Sequence, residues 1–295
     1  MAGTPDHARH LFVAPHLDDV ALSCGGLVRR LTAAGEPVLI ATVVTADPPA
    51  GAPLTRLARR HHVGWGLGDA PFGARCLEDL AAADVLGARS VHLGLLDAIY
   101  RIDPAGRPHY TRHILGVAPD PADATRFGTA LLDALANALL GVASGAEVYS
   151  PLGIGGHVDH FLVRRAVEAL VPPERIAYYE DYPYAGRRAT LEPAGPGPWR
   201  SELIELTDSE LAARIAATEA YTSQFPSLFP TRLSRVQEIF RNRLPGGGRL
   251  VPAPSPSRMR PHMERQLRAY VARVGGERYW RVSPAEAYEL ARATA

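Results

Sequence analysis

Apolar runs alternate with helical patterns along the first two-thirds of the chain. Residues 11–14 (Leu-Phe-Val-Ala) form a short apolar run that predicts a buried strand. Over 20–34, Val20, Leu27, Val28 and Leu31 fall on one side of a helix, and Gly35 is its stop. Residues 38–44 are continuously apolar and rich in β-branched side chains, as in a central parallel strand. The pattern then predicts a helix over 77–86 ending at Gly87, a strand at 90–93 and an amphipathic helix over 125–140. It continues with a strand at 147–149, a helix over 158–170 closed by Pro172 and Pro173, and a strand at 175–179. Such alternation predicts an α/β fold: a Rossmann-like, doubly wound, mostly parallel sheet with helices on both faces. Past Tyr182 the alternation weakens. Residues 195–198 and 245–256 are loops rich in Pro and Gly, and between them 208–221 reads as a helix with Thr207 as N-cap. The expectation is a single domain over 1–295, with a core at about 10–185 and a C-terminal extension at about 186–295.

Composition narrows the function classes. The chain has 295 residues, 46% of them hydrophobic, enough for a full core. Its formal net charge of +1 leaves no electrostatic footprint for nucleic acid or an anionic membrane. All 32 basic residues in the Lys+Arg count are arginine, which excludes a lysine nucleophile or Schiff base. Cys24 and Cys76 are too few for a disulfide scaffold and read as reduced thiols. The first ten residues hold no apolar signal segment, and no apolar run approaches the ~20 residues needed to span a bilayer, so a cytoplasmic location is expected. Nothing in the sequence speaks to oligomeric state.

Two motifs carry chemistry. Pro15-His16-Leu17-Asp18-Asp19 directly follows the first strand, followed by Ser23-Cys24-Gly25-Gly26. Gly155-Gly156-His157-Val158-Asp159-His160 follows the strand at 147–149 and opens the next helix. Both sit at carboxyl ends of predicted strands, where a doubly wound sheet opens its ligand crevice. His157 and His160 are three apart and share a helical face if both lie in the first turn. Two histidines and one carboxylate make a zinc site with an open position for water, and the remaining carboxylate can act as base. The same set also serves non-haem Fe(II) oxygenases, although those usually occupy all-β folds. A non-catalytic carbohydrate-binding protein is a third reading, which the presence of every candidate ligand and of Asp18 disfavours.

The paired motifs, Pro-His-Leu-Asp-Asp with Ser-Cys-Gly-Gly and then Gly-His-Val-Asp-His, resemble the LmbE-like, or PIG-L, deacetylase family over roughly residues 10 to 185. Members of that family remove acyl groups from N-acetylglucosamine-bearing substrates, including glycolipid-anchor precursors, mycothiol precursors and antibiotic sugars. The resemblance implies a zinc N-deacetylase acting on an amino-sugar or glycoside, with another divalent ion such as Fe2+ as an alternative metal. It implies His16, Asp19 and His160 as ligands and Asp18 as general base. His157 would stabilise the oxyanion or protonate the leaving amine, and Asp159 would orient a histidine. Val20 stands where the family often has Glu, which touches only a secondary role.

Further matches are softer. Arg75-x-x-Glu78-Asp79 resembles a family helix, and Asp97 falls where family members contact sugar hydroxyls. Arg75 and Glu78 have the alternative of a surface i,i+3 ion pair. The segment 179–184 follows a strand and either rims the pocket or packs as a loop. Adjacent His61 and His62 point apart on a helix and suit a surface or core-edge role. Gly153-x-Gly155 lacks the third glycine of a dinucleotide fingerprint.

Overall fold

The computed structural model describes residues 7–187, 199–231 and 255–282. The Pro- and Gly-rich segment 195–198 and most of 245–256 lie outside the described residues. The elements are β1 (Ala8–His16), α1 (Asp19–Ala33), β2 (Val38–Ala46), α2 (Arg56–Trp65), α3 (Phe72–Leu86), β3 (Arg89–Leu96), α4 (Pro121–Leu139), β4 (Val142–Pro151), α5 (Val158–Leu170) and β5 (Ile176–Tyr179). After them come β6 (Trp199–Ile204), α6 (Asp208–Glu219), α7 (Phe225–Leu228), α8 (Pro256–Val274) and β7 (Glu277–Val282).

Seven strands form one mixed sheet in the order β3-β2-β1-β4-β5-β7-β6. The pairings from β3 through β5 are parallel, and the two that involve β7 are antiparallel. β1 and β2 are buried along nearly their whole length, as both-face coverage of a parallel sheet requires. The chain order reverses between β1 and its neighbour β4, the switch point where a crevice opens beyond the strands' carboxyl ends. α1, α3 and α6 pack on one another, and α4 packs on α5.

Local chemistry explains several boundaries. Thr207 caps α6 in a reciprocal capping box with Glu210. Asp120 accepts two backbone N–H groups at the start of α4, with Pro121 at its first position. Among the described residues no helix is long and apolar enough to cross a membrane. Cys24 and Cys76 are both free.

The described strand and helices after β5 pack onto the core. β7 pairs with β5, and Glu277 at its start accepts the N–H groups of Gly26 (2.8 Å) and Leu27 (2.9 Å) in α1. A Cβ on Gly26 would stand 2.6 Å from Leu206, so the glycine pair lets α1 approach α6 and β7. Arg214 of α6, fully buried, lies 3.2 Å from Glu277 and donates to the Leu22 carbonyl. Breaking a buried pair from one side leaves an uncompensated charge. Arg214→Met should therefore lower the unfolding free energy by about 3 kcal/mol. Adding Glu277→Gln should recover part of it in denaturant titrations. An unchanged midpoint in the single variant would show that the pair contributes no stability.

Candidate active site

The chain leaves β1 at His16, crosses Leu17 and Asp18 and enters α1 at Asp19. Asp18 has φ 120°, a conformation that side-chain-bearing residues rarely take, at a cost of roughly 1–3 kcal/mol. Neighbouring bonds hold it: the Asp18 carbonyl accepts the Leu22 N–H at 2.9 Å, and Asp19 Oδ2 accepts the His16 N–H at 2.8 Å. The two adjacent carboxylates have different partners. Asp19 folds back toward His16, while Asp18, although at the N-cap of α1, makes no capping hydrogen bond and lines the cavity.

The second motif arrives from β4. Gly155 has φ 93°, and a Cβ there would stand 2.5 Å from Tyr184, so only glycine lets the loop pass beneath that ring. Residues 114–116 pair with 156–158 and brace the loop: Gly116 N–H donates to the Gly156 carbonyl (2.8 Å) and Val158 N–H to the Ile114 carbonyl (3.0 Å). His157 is the N-cap of α5, its Nδ1 accepting the Asp159 N–H at 3.2 Å. His160 lies in the first turn behind it.

These side chains meet. Asp19 Oδ2 lies 3.3 Å from His16 Nδ1 and 3.4 Å from His160 Nε2. Donors bound at ~2.0–2.1 Å around a tetrahedral ion stand about 3.3–3.4 Å apart, so both spacings match edges of such a site. The donor set fits a divalent cation. His16, His157 and His160 also each place a nitrogen within 4.8 Å of the others, as do His16, Asp97 and Asp159 with their donor atoms. The far nitrogens of His16 and His160 are taken. His16 Nε2 faces Asp159 Oδ2 at 3.1 Å, and His160 Nδ1 faces Asp181 Oδ1 at 2.6 Å. Each carboxylate thereby directs the opposite nitrogen's lone pair toward Asp19.

Burial dominates the electrostatics. Burial and the like charge of Asp19 push the Asp18 carboxyl up to about 8. Burial also opposes ionisation of Asp19, but His160 and His16 outweigh it and hold Asp19 at about 2. Asp159 is buried too, yet the Arg101 charge beside it keeps its carboxyl well below the usual carboxylate range. Burial and neighbouring His16 hold His157 well below the ordinary histidine value.

The cavity around these groups measures about 440 Å³. Arg75 and Asp97 both line it and both are buried. Arg75 stacks over Trp65 (4.6 Å) and Phe72 (5.0 Å), donates to the Leu17 carbonyl at 3.3 Å and keeps its Nε without a hydrogen-bond partner. It does not pair with Glu78, which instead accepts from Thr222 and Ser223. Asp97 accepts the Ile99 N–H and sits beside His16 and Asp159.

Sequence reading missed part of this site. Asp181 was legible only as part of a segment after a strand, yet it bridges His160 and the Ile154 N–H (2.7 Å). His61 lines the cavity, whereas His62 turns into the core between the Gly68 carbonyl and the Tyr100 hydroxyl, a split that helical geometry at adjacent positions predicts. Gln224 and Ser227, far along the chain, form part of the wall.

A family model described as PIG-L, GlcNAc-PI de-N-acetylase, matches residues 11–171. A 2'-N-acetylparomamine deacetylase from Streptomyces fradiae is 35% identical over 193 residues, covering 62% of this chain and 60% of that protein. The chain thus matches less than two-thirds of that relative's length. Among solved structures, the zinc-inhibited form of a teicoplanin deacetylase superposes with a TM-score of 0.68 at 25% identity, covering 94% of this chain and 98% of that one. A deacetylase–teicoplanin complex gives a TM-score of 0.65 at 26% identity, covering 93% and 98%.

Proposed function

The chain belongs to the GlcNAc-PI de-N-acetylase (PIG-L) family, and from that premise we propose that it is a zinc-dependent N-deacetylase acting on an amino-sugar-containing small molecule or glycoside. The observation that carries this reading is the spacing of His16 Nδ1, Asp19 Oδ2 and His160 Nε2, with Asp18 beside them in one cavity. The deacetylases of 2'-N-acetylparomamine and teicoplanin among its relatives support the substrate class.

In this reading His16, Asp19 and His160 hold the ion, and Asp18 is the general base. A divalent ion there supplies Lewis acidity to the amide carbonyl and to the attacking water. Asp18, uncommitted by any cap, takes the proton from that water in its ionised form, which the charge of a bound cation beside it would favour. His157 has its Nδ1 lone pair engaged by the Asp159 N–H, so the neutral ring carries its hydrogen on Nε2. That N–H is a ready donor to the developing oxyanion. Giving it up entirely would leave an imidazolate, so the proton for the leaving amine returns from Asp18. Arg75 and Asp97 contact the sugar hydroxyls. Fe2+ fits the same donors, and metal analysis distinguishes the two.

The test is release of free amine. Protein stripped with a chelator should be inactive on N-acetylated amino sugars and glycosides, and zinc should restore activity up to about one equivalent per chain. Because a structural relative has a zinc-inhibited form, the titration should continue past that point. Metal-replete protein that releases no amine from any member of such a panel would sink the reading.

A further inference from the structure

Gln224 reaches the cavity wall from the last third of the chain, and its amide is oriented by a relay that starts on α3. Glu78, half-buried one turn past Arg75, accepts the Thr222 hydroxyl (2.8 Å) and the Ser223 N–H (2.9 Å) on Oε1. Its Oε2 accepts the Ser223 hydroxyl at 2.6 Å. Ser223 Oγ in turn accepts from Gln224 Nε2 at 2.7 Å. Asp79, the next residue of α3, takes the Tyr221 hydroxyl at 2.6 Å, so residues 221–223 are tied to that helix at two successive positions. Ser223 is 7% exposed and Gln224 5%.

Counting donors and acceptors fixes the direction of the relay. A carboxylate only accepts, and a hydroxyl has one hydrogen to give. Ser223 spends its hydrogen on Glu78, so its oxygen can only accept from Gln224. The amide nitrogen must therefore face Ser223, and the amide oxygen is turned away from it. That oxygen accepts from no described residue, and unlike Arg75 Nε it is not sealed from solvent. A side chain this buried, held by its neighbours and with an idle acceptor at a cavity wall, is built to meet a ligand's donor. Arg60 and Arg75 in the same lining disfavour an ammonium, so the donor is a neutral hydroxyl.

We propose that Gln224 is a specificity-determining residue that accepts a hydrogen bond from one sugar hydroxyl, with Glu78 and Ser223 as positioning residues that hold its amide in that sense. The proposal rests on the deacetylase reading of this cavity and deepens it. Arg75 only donates, so it satisfies any acceptor on the sugar; Gln224 demands a hydrogen there.

Amine release from methyl N-acetylglucosaminide, and from its derivatives with one hydroxyl replaced by fluorine, tests it. Fluorine is no larger than the hydroxyl and cannot donate. For one of these derivatives the wild-type KM should be about 5–10-fold above that of the parent sugar, the scale of one neutral hydrogen bond. Gln224→Met keeps the length without the amide. It should raise KM for the parent by about the same factor, with kcat little changed, and should no longer penalise that fluorine. Glu78→Gln leaves an oxygen for the Ser223 N–H but sets an amide N–H against Ser223 Oγ, which reverses the relay and turns the Gln224 nitrogen toward the cavity. It should raise KM for the parent about threefold alone and hardly at all in the Gln224→Met background, whereas a merely structural effect would add in full. Glu78→Gln also covers the case in which Gln224→Met fails to fold, since its own loss of the fluorine penalty reads out the same amide. The proposal is overturned if wild type penalises no fluorine, or if folded Gln224→Met keeps the wild-type KM. Full additivity in the double variant overturns the positioning role of Glu78. Each of these results leaves the deacetylase reading standing, whereas metal-replete wild type that releases no amine from the parent sugar overturns that reading for this sugar and the role of Gln224 with it.

Discussion

Asp19→Ala should empty the metal site, while His157→Ala should leave it full. The two variants discriminate because both side chains lie against His16 and His160: Asp19 Oδ2 stands 3.3 and 3.4 Å from their nitrogens, and His157 forms a group of three imidazole donors with them. Asp19 has the stronger claim to the ion. It is held ionised at about 2 by the two imidazoles, and its Oδ2 sits between them at near-tetrahedral spacing. His157 is anchored by the Asp159 N–H and offers a hydrogen on Nε2 where a ligand needs a lone pair. Metal content by elemental analysis should fall from about one ion per chain to near none in Asp19→Ala, with activity down by about 10³-fold or more. His157→Ala should keep its metal and lose about 10²–10³-fold in kcat with KM little changed, as removal of one oxyanion donor does. The opposite pattern, metal lost from His157→Ala and kept in Asp19→Ala, would mean a three-histidine site.

Replacing Asp18 by Asn should lower kcat by about 10²–10⁴-fold while metal content stays near wild type. The substitution keeps the shape and the polar surface but removes the role assigned to this side chain, taking up a proton and returning it to the leaving amine. Its backbone at φ 120° favours the choice of Asn over Ala, because Asn tolerates positive φ better than most residues. The fold should therefore survive, which a Tm near wild type would verify. Normal turnover in Asp18→Asn would move the base elsewhere, and loss of metal would move Asp18 into the ligand set.

The elements that were legible from sequence share one property. The strands at 11–14 and 38–44, and Ile176–Tyr179 within the run 175–179, are buried on both faces, and the helices at 20–34, 125–140 and 158–170 bury one side, so burial announces them. β6, β7, α2 and α8 were not legible. β7 reads Glu-Arg-Tyr-Trp-Arg-Val, and its Glu277 is buried only because Arg214 and two α1 N–H groups, some 60 and 250 residues away in the chain, meet it there. α2 is amphipathic, but the stripe it buries, Ala58, His62 and Trp65, is short and contains a histidine, so it does not stand out as an apolar run. Its caps, Thr55 and Gly66, were visible as residues but uninformative without that stripe.

The same division runs through the site. His16, Asp18, Asp19, His157 and His160 stand out in the sequence because local order does most of the work: each motif follows a strand, and the parallel order places neighbouring strand ends together. The residue types announce a hydrolytic metal site, and the glycines at 155 and 156 announce a tight passage. Tertiary structure alone decided which nitrogens of His16 and His160 face Asp19, because that depends on Asp159 and Asp181 lying behind the rings. It decided that Asp18 and Asp19, adjacent in sequence, take different partners: Asp19 accepts the His16 N–H, whereas Asp18, at φ 120°, makes no capping bond. It decided that Arg75 is a buried cavity group over Trp65 and not a surface partner of Glu78. Hydrogen-bond direction and charge pairing are set by contacts between residues tens to hundreds of positions apart, and a one-dimensional pattern records the residues that make such contacts but not their meeting.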